Sequence, residues 1–528
     1  MSYDGKMGAS TVEVAVIGGG ASGALVTAHL LRGASPPSRI TVVEQAGKVG
    51  EGIAYSTSSK CHLLNVPARS MSAFEDDPEH LVRWLAANGL PAAADRFVPR
   101  TLYGRYLRET LLPREGAPSG IVRAVYTAVV DLELGPQGPR LVLDNGHTIE
   151  ARAVVLATGL VMRPFPASLA TTTGHPRCVV DPWGRGALAG IAPSATVTLL
   201  GSGLTAVDVL LALRESGHRG PVHAISRHGL LPRAHRPGQY DHAALEALCR
   251  DLQGNQVRAL VHKARQILCG AEPGGADWRD MVDALRPEVP RLWAGLSRDE
   301  QLRFRRHLER FWSVNRHRMA PEVARTVYEL RDSGAFTVHA GELEAVSDIE
   351  GSLRLQVKLS STARPCAWRT DWLVNCTGTE PRLFQRRGTL MDALMARGFV
   401  RPGPIEMGVA TDDRGRAVDA RGRPSDWLWA IGPLRQGQLL ESTAVPEIRI
   451  EARDVALDIG RYLNSLANSS GPSSSGPSVD PPVPGHTSNG AQGGDPPPAP
   501  VATGHEYRAC LPLLVPGWAT ASAESSRN

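Results

Sequence analysis

The stretch Gly18-Gly19-Gly20-Ala21-Ser22-Gly23 follows the apolar run 12–17 and opens the apolar segment 24–31, so it reads as strand, tight glycine turn and helix. In that geometry the first glycine permits the turn, the second admits a pyrophosphate against the backbone, and the third lets helix pack on strand. Free N–H groups and the helix dipole favour an anion there, and the pattern predicts a dinucleotide. In a chain with 54 glycines the motif alone has little weight; its context adds to it. The next strand, 40–43, ends in Glu44, 26 positions after Gly18. A carboxylate there accepts hydrogen bonds from ribose hydroxyls and suits an adenosine without a 2′-phosphate, such as that of FAD or NAD.

The pattern then repeats. An apolar strand at 196–200 precedes Gly201-Ser202-Gly203-Leu204-Thr205-Ala206, a helical segment at 207–214 and a strand at 222–225 that ends in Ser226-Arg227. Arg227 stands 26 positions after Gly201, the offset of Glu44 from Gly18. Each copy continues into an alternating, meander-like region, 120–150 and 336–359. Each then reaches an apolar strand ending in Thr-Gly, at Thr158-Gly159 and Thr377-Gly378. Such a duplication predicts an α/β fold with two Rossmann-like dinucleotide-binding domains. Glu44 suits an unphosphorylated ribose and Arg227 a 2′-phosphate, so FAD is expected in the first domain and NADPH in the second.

A chain of 528 residues exceeds one ordinary core. Its net charge of +5 is small and not gathered in a basic tail, which argues against nucleic acid or a membrane as the main partner. Two apolar stretches, 12–31 and 196–213, contain glycine clusters and read as buried strand-turn-helix units rather than membrane spans. The polar start 1–10 lacks the order of a signal peptide, so a cytoplasmic location is the expectation. Seven scattered cysteines with no C-x-x-C predict neither a disulfide framework nor a metal site, and they offer no redox pair of the kind flavin disulfide reductases use.

Loops at 50–56 and 63–72 follow Glu44, where ligands of parallel sheets bind. Tyr55 and Asn65 are therefore candidates for contact with flavin or substrate, although either could simply satisfy loop backbone. Helices are expected at 78–88 and 101–112. Between 232 and 333 the composition turns helical, with candidate helices at 241–252, 255–268, 278–285 and 298–312, which suggests an insertion in the second domain. Its end, 310–321, is dense in cations and aromatics, including Arg316 and His317. It reads either as a solvated helix end or as a site for a substrate carboxylate or NADPH phosphate. A further apolar strand reaches Gly432, and a helix follows to about residue 463. The expected division is 11–165 and 381–463 for the FAD-binding domain, 166–235 and 334–380 for the NADPH-binding domain, and 236–333 for the insertion. The remainder, 464–528, is a Pro/Gly/Ser-rich tail without assigned structure.

With these residues in hand, the chain resembles the two-dinucleotide-binding-domain flavoproteins, and within them a bacterial FAD/NAD(P)-binding subgroup related to flavin monooxygenases. The resemblance covers about residues 12 to 463. It is carried by Gly52-Ile53-Ala54-Tyr55, Leu64-Asn65-Val66-Pro67, Ser226-Arg227-His228-Gly229, Arg316-His317-Arg318 and Thr443-Ala444-Val445-Pro446-Glu447-Ile448-Arg449. It implies cofactor contacts at Gly18, Gly20, Ser22, Gly23, Glu44, Asn65, Thr158, Gly159 and Gly432 in the first domain. In the second it implies them at Gly201, Gly203, Thr205, Ala206, Ser226, Arg227, Thr377 and Gly378. One departure is that Pro433 follows Gly432 where many relatives place an Asp that holds the flavin's ribityl chain. The resemblance implies hydride transfer from NADPH to FAD, then reaction with molecular oxygen to a flavin hydroperoxide that oxygenates a small-molecule substrate. Alternatives are a reductase without oxygen insertion, or a flavin-bound sensor or interaction protein. The sequence specifies no oligomeric state.

Overall fold

The computed structural model describes residues 12–111, 121–172, 174–236, 243–270, 277–349, 351–362 and 365–469. The chain divides into two units, 1–463 and 464–528. Of the second only 464–469, the end of a helix, is described; the polar start at 1–10 and the tail from 470 lie outside the described residues.

The strands, in chain order, are β1 (Val12–Ile17), β2 (Ile40–Val43), β3 (Val122–Val125), β4 (Val129–Gly135), β5 (Gly138–Leu143), β6 (Thr148–Leu156), β7 (Val161–Met162), β8 (Cys178–Val179), β9 (Val197–Leu200), β10 (Val222–Ser226), β11 (Phe336–Ile349), β12 (Ser352–Leu359), β13 (Cys366–Thr370), β14 (Trp372–Asn375), β15 (Thr379–Glu380), β16 (Arg416–Val418) and β17 (Pro424–Ala430). They form two large sheets with one plan. The first has the order β16-β17-β6-β1-β2-β3, with the β4–β5 hairpin attached to β6. The second has the order β13-β12-β11-β10-β9-β14-β8. The parallel runs β6-β1-β2-β3 and β14-β9-β10-β11 correspond strand for strand. β7 and β15 pair antiparallel as a small third sheet.

Central strands such as β1, β2 and β9 are buried along nearly their whole length because both faces are covered, one by helices and the other largely by the antiparallel ribbon β4–β5 in the first sheet and β11–β12 in the second. The helices Ala21–Arg32, Arg100–Thr110 and Val445–Ser469 contribute Leu25, Tyr106 and Val455 to the core on one face of the first sheet. On the second sheet, Leu204–Glu215 and Pro321–Asp332 supply Leu210 and Val327. The segment 243–294 has a small core of its own around Leu245, Cys249 and Met281.

Three elements differ from their expected form. β3, expected within the first meander, pairs parallel with β2, and only β4, β5 and the start of β6 form the antiparallel ribbon. β11 is parallel to β10 over 336–340, then bends past a register shift at Leu343/Ala345 into its hairpin with β12. The helix expected over 298–312 is two, Arg298–His307 and Glu309–Arg316, broken where Leu308 leaves helical geometry (φ −120°, ψ −30°) and buries its side chain.

Candidate cofactor and active site

The two glycine turns are closed in the same way. Gly18 N–H donates to Val43 O at 2.8 Å and Ala157 N–H to Ile17 O at 2.8 Å; Gly201 N–H donates to Ile225 O at 2.7 Å and Cys376 N–H to Leu200 O at 2.8 Å. Gly18 and Gly201 have φ of 101° and 116°, and a Cβ on either would stand 2.4 or 2.3 Å from the carbonyl oxygen of Ala157 or Cys376. Only glycine fits there, and the fit brings Thr158-Gly159 and Thr377-Gly378 beside their turns. Gly23 meets the other constraint, since its Cβ would lie 2.0 Å from Gly18 O.

Gly20 is different. It starts the helix Ala21–Arg32 with no side-chain cap, and the nearest atom to a Cβ there, its chain neighbours aside, is Gly52 Cα at 3.4 Å, at the start of the short helix Gly52–Tyr55 that stands where a loop was expected. This open, uncapped helix start could hold a diphosphate. Glu44 is buried beneath it, accepting from Gly19 N–H and Ala46 N–H, both at 2.7 Å. A carboxylate has about four acceptor positions, so these two bonds leave capacity for a ribose hydroxyl. The chain returns along β17, parallel to β6, and delivers Gly432 onto the same helix start, where a Cβ would lie 2.3 Å from Ser22 Oγ. In place of a following Asp, the buried Glu451 carboxylate accepts from Gly432 N–H at 3.2 Å and pairs with Arg435 at 3.3 Å. Burial pushes the Glu451 pKa up to about 7.

At the second turn Ser202 and Ser226 share a hydroxyl hydrogen bond of 2.7 Å, and Ser226 Oγ also accepts from Gly229 N–H at 3.1 Å. Arg227 lies exposed just past the end of β10. Thr205 is half-buried and Ala206 fully buried in the helix Leu204–Glu215. Thr377 Oγ1 donates to Asn375 Oδ1 at 2.7 Å, which orders the strand end.

Tyr55 stacks edge-on to Tyr103, centroids 4.8 Å apart, and burial raises its phenol to about 12, so it stays protonated. Asn65 uses its main-chain oxygen, which accepts from His235 Nε2 at 2.9 Å. Arg316 and His317 are not at a solvated helix end. Arg316, 5% exposed, lies 3.1 Å from Glu441 (3% exposed) and 3.3 Å from Glu447. Arg286 also pairs with Glu447, through Nη2 at 2.7 Å, and Trp312 Nε1 donates to Glu441 at 2.7 Å. Burial, and then the Arg316 charge, lower the His317 pKa to about 4, leaving it neutral at pH 7. Burial pushes Glu441 up, but the Arg316 charge, with the Trp312 hydrogen bond and the Arg286 charge, outweighs it, so its carboxyl stays below its ordinary value. The result is a compact buried network joining 286 and 312–317 to the 441–447 segment. Residue 448 touches the Gly432 position, which places this network next to the first glycine turn. Sequence reading missed Arg286, Glu441 and Glu447 as site residues. Glu447 lay within the 443–449 stretch that carried the resemblance, but nothing local marked it, Arg286 or Glu441 as paired.

Residues 15–161 match the FAD-NAD(P)-binding family model. The fold is similar to that of Kutzneria sp. 744 ornithine N-hydroxylase in a complex with reduced FAD, NADP+ and L-ornithine. The two share 17% identity and a TM-score of 0.60, over 86% of this chain and 99% of that one. It has the fold of the two-dinucleotide-binding flavoproteins. L-lysine 6-monooxygenase from Pseudomonas syringae is similar at 16% identity and TM-score 0.57, over 86% of this chain and 100% of that one. Thioredoxin reductase from Lactococcus lactis matches at 11% and 0.50, again over 86% and 100%. None of the curated proteins compared with the sequence matches it. No helix among the described residues is long and apolar enough to cross a membrane, and among them no cluster of three or more His, Cys, Asp or Glu is placed to hold a metal ion.

Proposed function

We propose that the chain is an FAD-dependent, NADPH-using monooxygenase that acts on a small molecule with molecular oxygen as co-substrate. The observation that carries this reading is the duplicated turn, closed identically against two parallel sheets and followed by Glu44 in one copy and Arg227 in the other. Gly20, Ser22, Glu44 and Gly432 would hold FAD; Gly203, Ser226 and Arg227 would hold NADPH. Bound FAD supplies two-electron chemistry with nicotinamide and with oxygen. The Arg286, Arg316, Glu441 and Glu447 network fixes the wall beside the first turn and excludes water, with His317 kept neutral within it.

Cys61, Cys178, Cys249, Cys366 and Cys376 are free, and no two cysteines in the sequence are three positions apart, which favours oxygen over a disulfide as electron acceptor. Free thiols also support a cytoplasmic location. The division into domains is proposed as 11–165 with 381–463, 166–235 with 334–380, and an insertion at 236–333 whose last helix, Pro321–Asp332, packs on the second sheet. Ornithine and lysine, named for the monooxygenases of like fold, make primary amines the first substrate class to try.

The purified protein is expected to be yellow, to release FAD on denaturation, and to couple NADPH oxidation to a hydroxylated product when amines, ketones and thioethers are screened with peroxide measured separately. Colourless protein that takes up no FAD would end the reading, and turnover independent of oxygen would make it a reductase. Arg227→Ala should raise the NADPH requirement roughly ten- to a hundredfold, the loss of one charge-assisted pair, and leave NADH nearly unchanged. A wild type that prefers NADH overturns the coenzyme assignment.

A further inference from the structure

The helix Glu309–Arg316 belongs to the inserted region, yet its first turn stands over the second glycine turn. Arg310 donates from Nη2 to Ser202 Oγ at 3.1 Å and to Leu230 O at 3.0 Å. Its Nη1 lies 3.7 Å from the point a Cβ on Gly203 would occupy, and apart from Gly203 and its chain neighbours no other atom comes within 4 Å of that point. Gly203 starts the helix Leu204–Glu215 without a side-chain cap, so the N–H groups of that helix open onto the Arg310 guanidinium. Arg227 is close enough to reinforce the effect of burial in lowering the Arg310 pKa. The neighbouring carboxylate, Glu309, pairs with Arg305 at 3.2 Å, and burial raises its pKa against the opposing charges of Arg305, Arg163 and Arg227. Among the described residues no carboxylate pairs with Arg310 or Arg227. Two guanidiniums with no carboxylate in ion-pair contact, one of them fixed over an open helix start, form a place for a phosphate.

We propose that Arg310 is a ligand of the coenzyme's pyrophosphate, so that the inserted helix completes the nicotinamide-nucleotide site. This rests on the NADPH reading above and goes beyond it by separating two duties. Arg227, past the end of β10, meets the 2′-phosphate; Arg310, over Gly203, meets the diphosphate common to NADPH and NADH. The same helix ends in Arg316, six residues or about 9 Å along its axis, within the buried network on Glu441 and Glu447. One rigid element thus touches the nucleotide at one end and the flavin-side wall at the other.

The test is equilibrium binding of NADP+, NAD+ and adenosine 2′-phosphate to the flavin-loaded protein by titration calorimetry, with melting temperatures checked for each variant. Arg310→Gln keeps a donor for Ser202 and Leu230 and removes the charge. It should weaken NADP+ and NAD+ by the same factor, roughly tenfold or more, and leave adenosine 2′-phosphate unchanged. Arg310→Lys should restore most of the loss, which a purely structural role would not produce. Arg227→Ala should do the reverse, weakening NADP+ and adenosine 2′-phosphate and sparing NAD+. Unchanged NAD+ and NADP+ binding in Arg310→Gln overturns the proposal, as does a loss confined to NADP+ or a loss that Lys does not rescue. A wild type that binds neither dinucleotide removes the NADPH reading itself, and the proposal with it.

Discussion

At the scale of single residues, the three glycines of the first turn have different duties. Gly18 and Gly23 are held by backbone contact, with a Cβ 2.4 Å from Ala157 O or 2.0 Å from Gly18 O, whereas Gly20 faces open space and Gly52. Gly23→Ala should therefore damage the fold itself, with a melting temperature well below wild type, because backbone must move to admit the methyl group. Gly20→Val should fold and melt near the wild-type apoprotein yet retain little flavin, since its side chain grows into the diphosphate cradle. Absorbance at the flavin band and a melting curve on the same preparations distinguish the two. Equal flavin content in Gly20→Val and wild type would show that the cradle lies elsewhere.

Between elements, one buried ion pair couples the two dinucleotide-binding layers. Arg100, on the helix Arg100–Thr110, forms a two-pronged pair with Asp208 on the helix Leu204–Glu215, at 2.8 and 3.2 Å, with side chains 13% and 8% exposed. His62 Nε2 meets the Asp208 carbonyl at 2.8 Å from the same side. Removing one member strands the other charge in a site closed to water, a loss of about 3–5 kcal/mol. Arg100→Ala should show that loss in chemical denaturation. The double variant with Asp208→Ala should lose less than the sum of the two single changes. Strict additivity would mean that the pair contributes no coupling between the layers.

For the whole molecule, pH dependence follows from buried groups far apart in the chain. Burial lowers the imidazoles of His29, His235 and His317 to about 4 each. Between about pH 4 and 6.5 the unfolded chain binds these protons and the folded one does not, so stability rises with pH and is lost on acidification. Glu451, raised to about 7, has the opposite sign: the folded state keeps its proton longer, so its contribution falls as pH rises from about 4.5 to 7. Three histidines against one carboxyl leave a net gain with pH in the shared window. His29→Gln, remote from the candidate site, should flatten the plot of melting temperature against pH between 4 and 6.5. Glu451→Gln should steepen it. An unchanged profile in both would refute the assignment of these shifts.

The duplicated turn was legible from sequence because its constraint is local: the positive φ of Gly18 and Gly201 and their closure on neighbouring strand ends require glycine whatever surrounds them. Apolar parallel strands were legible for the same reason, since burial on both faces leaves runs such as β1 and β9 without polar alternation. The helix Pro321–Asp332 had a readable start in Pro321, but the cations just before it obscured the apolar spacing of Ala324 and Val327. From sequence β3 reads as a meander strand, because four residues carry too little pattern to tell parallel from antiparallel pairing. The sequence by itself determined two dinucleotide folds and set Glu44 and Arg227 at matching places, just past the second strand of each copy. Tertiary structure alone decided that Arg286 meets Glu447 across 161 positions, that Arg316 is buried rather than solvated, and that Arg310 leaves the insertion to stand over Gly203. Charge pairing at such separations depends on which surfaces pack together, and no periodicity along the chain records it.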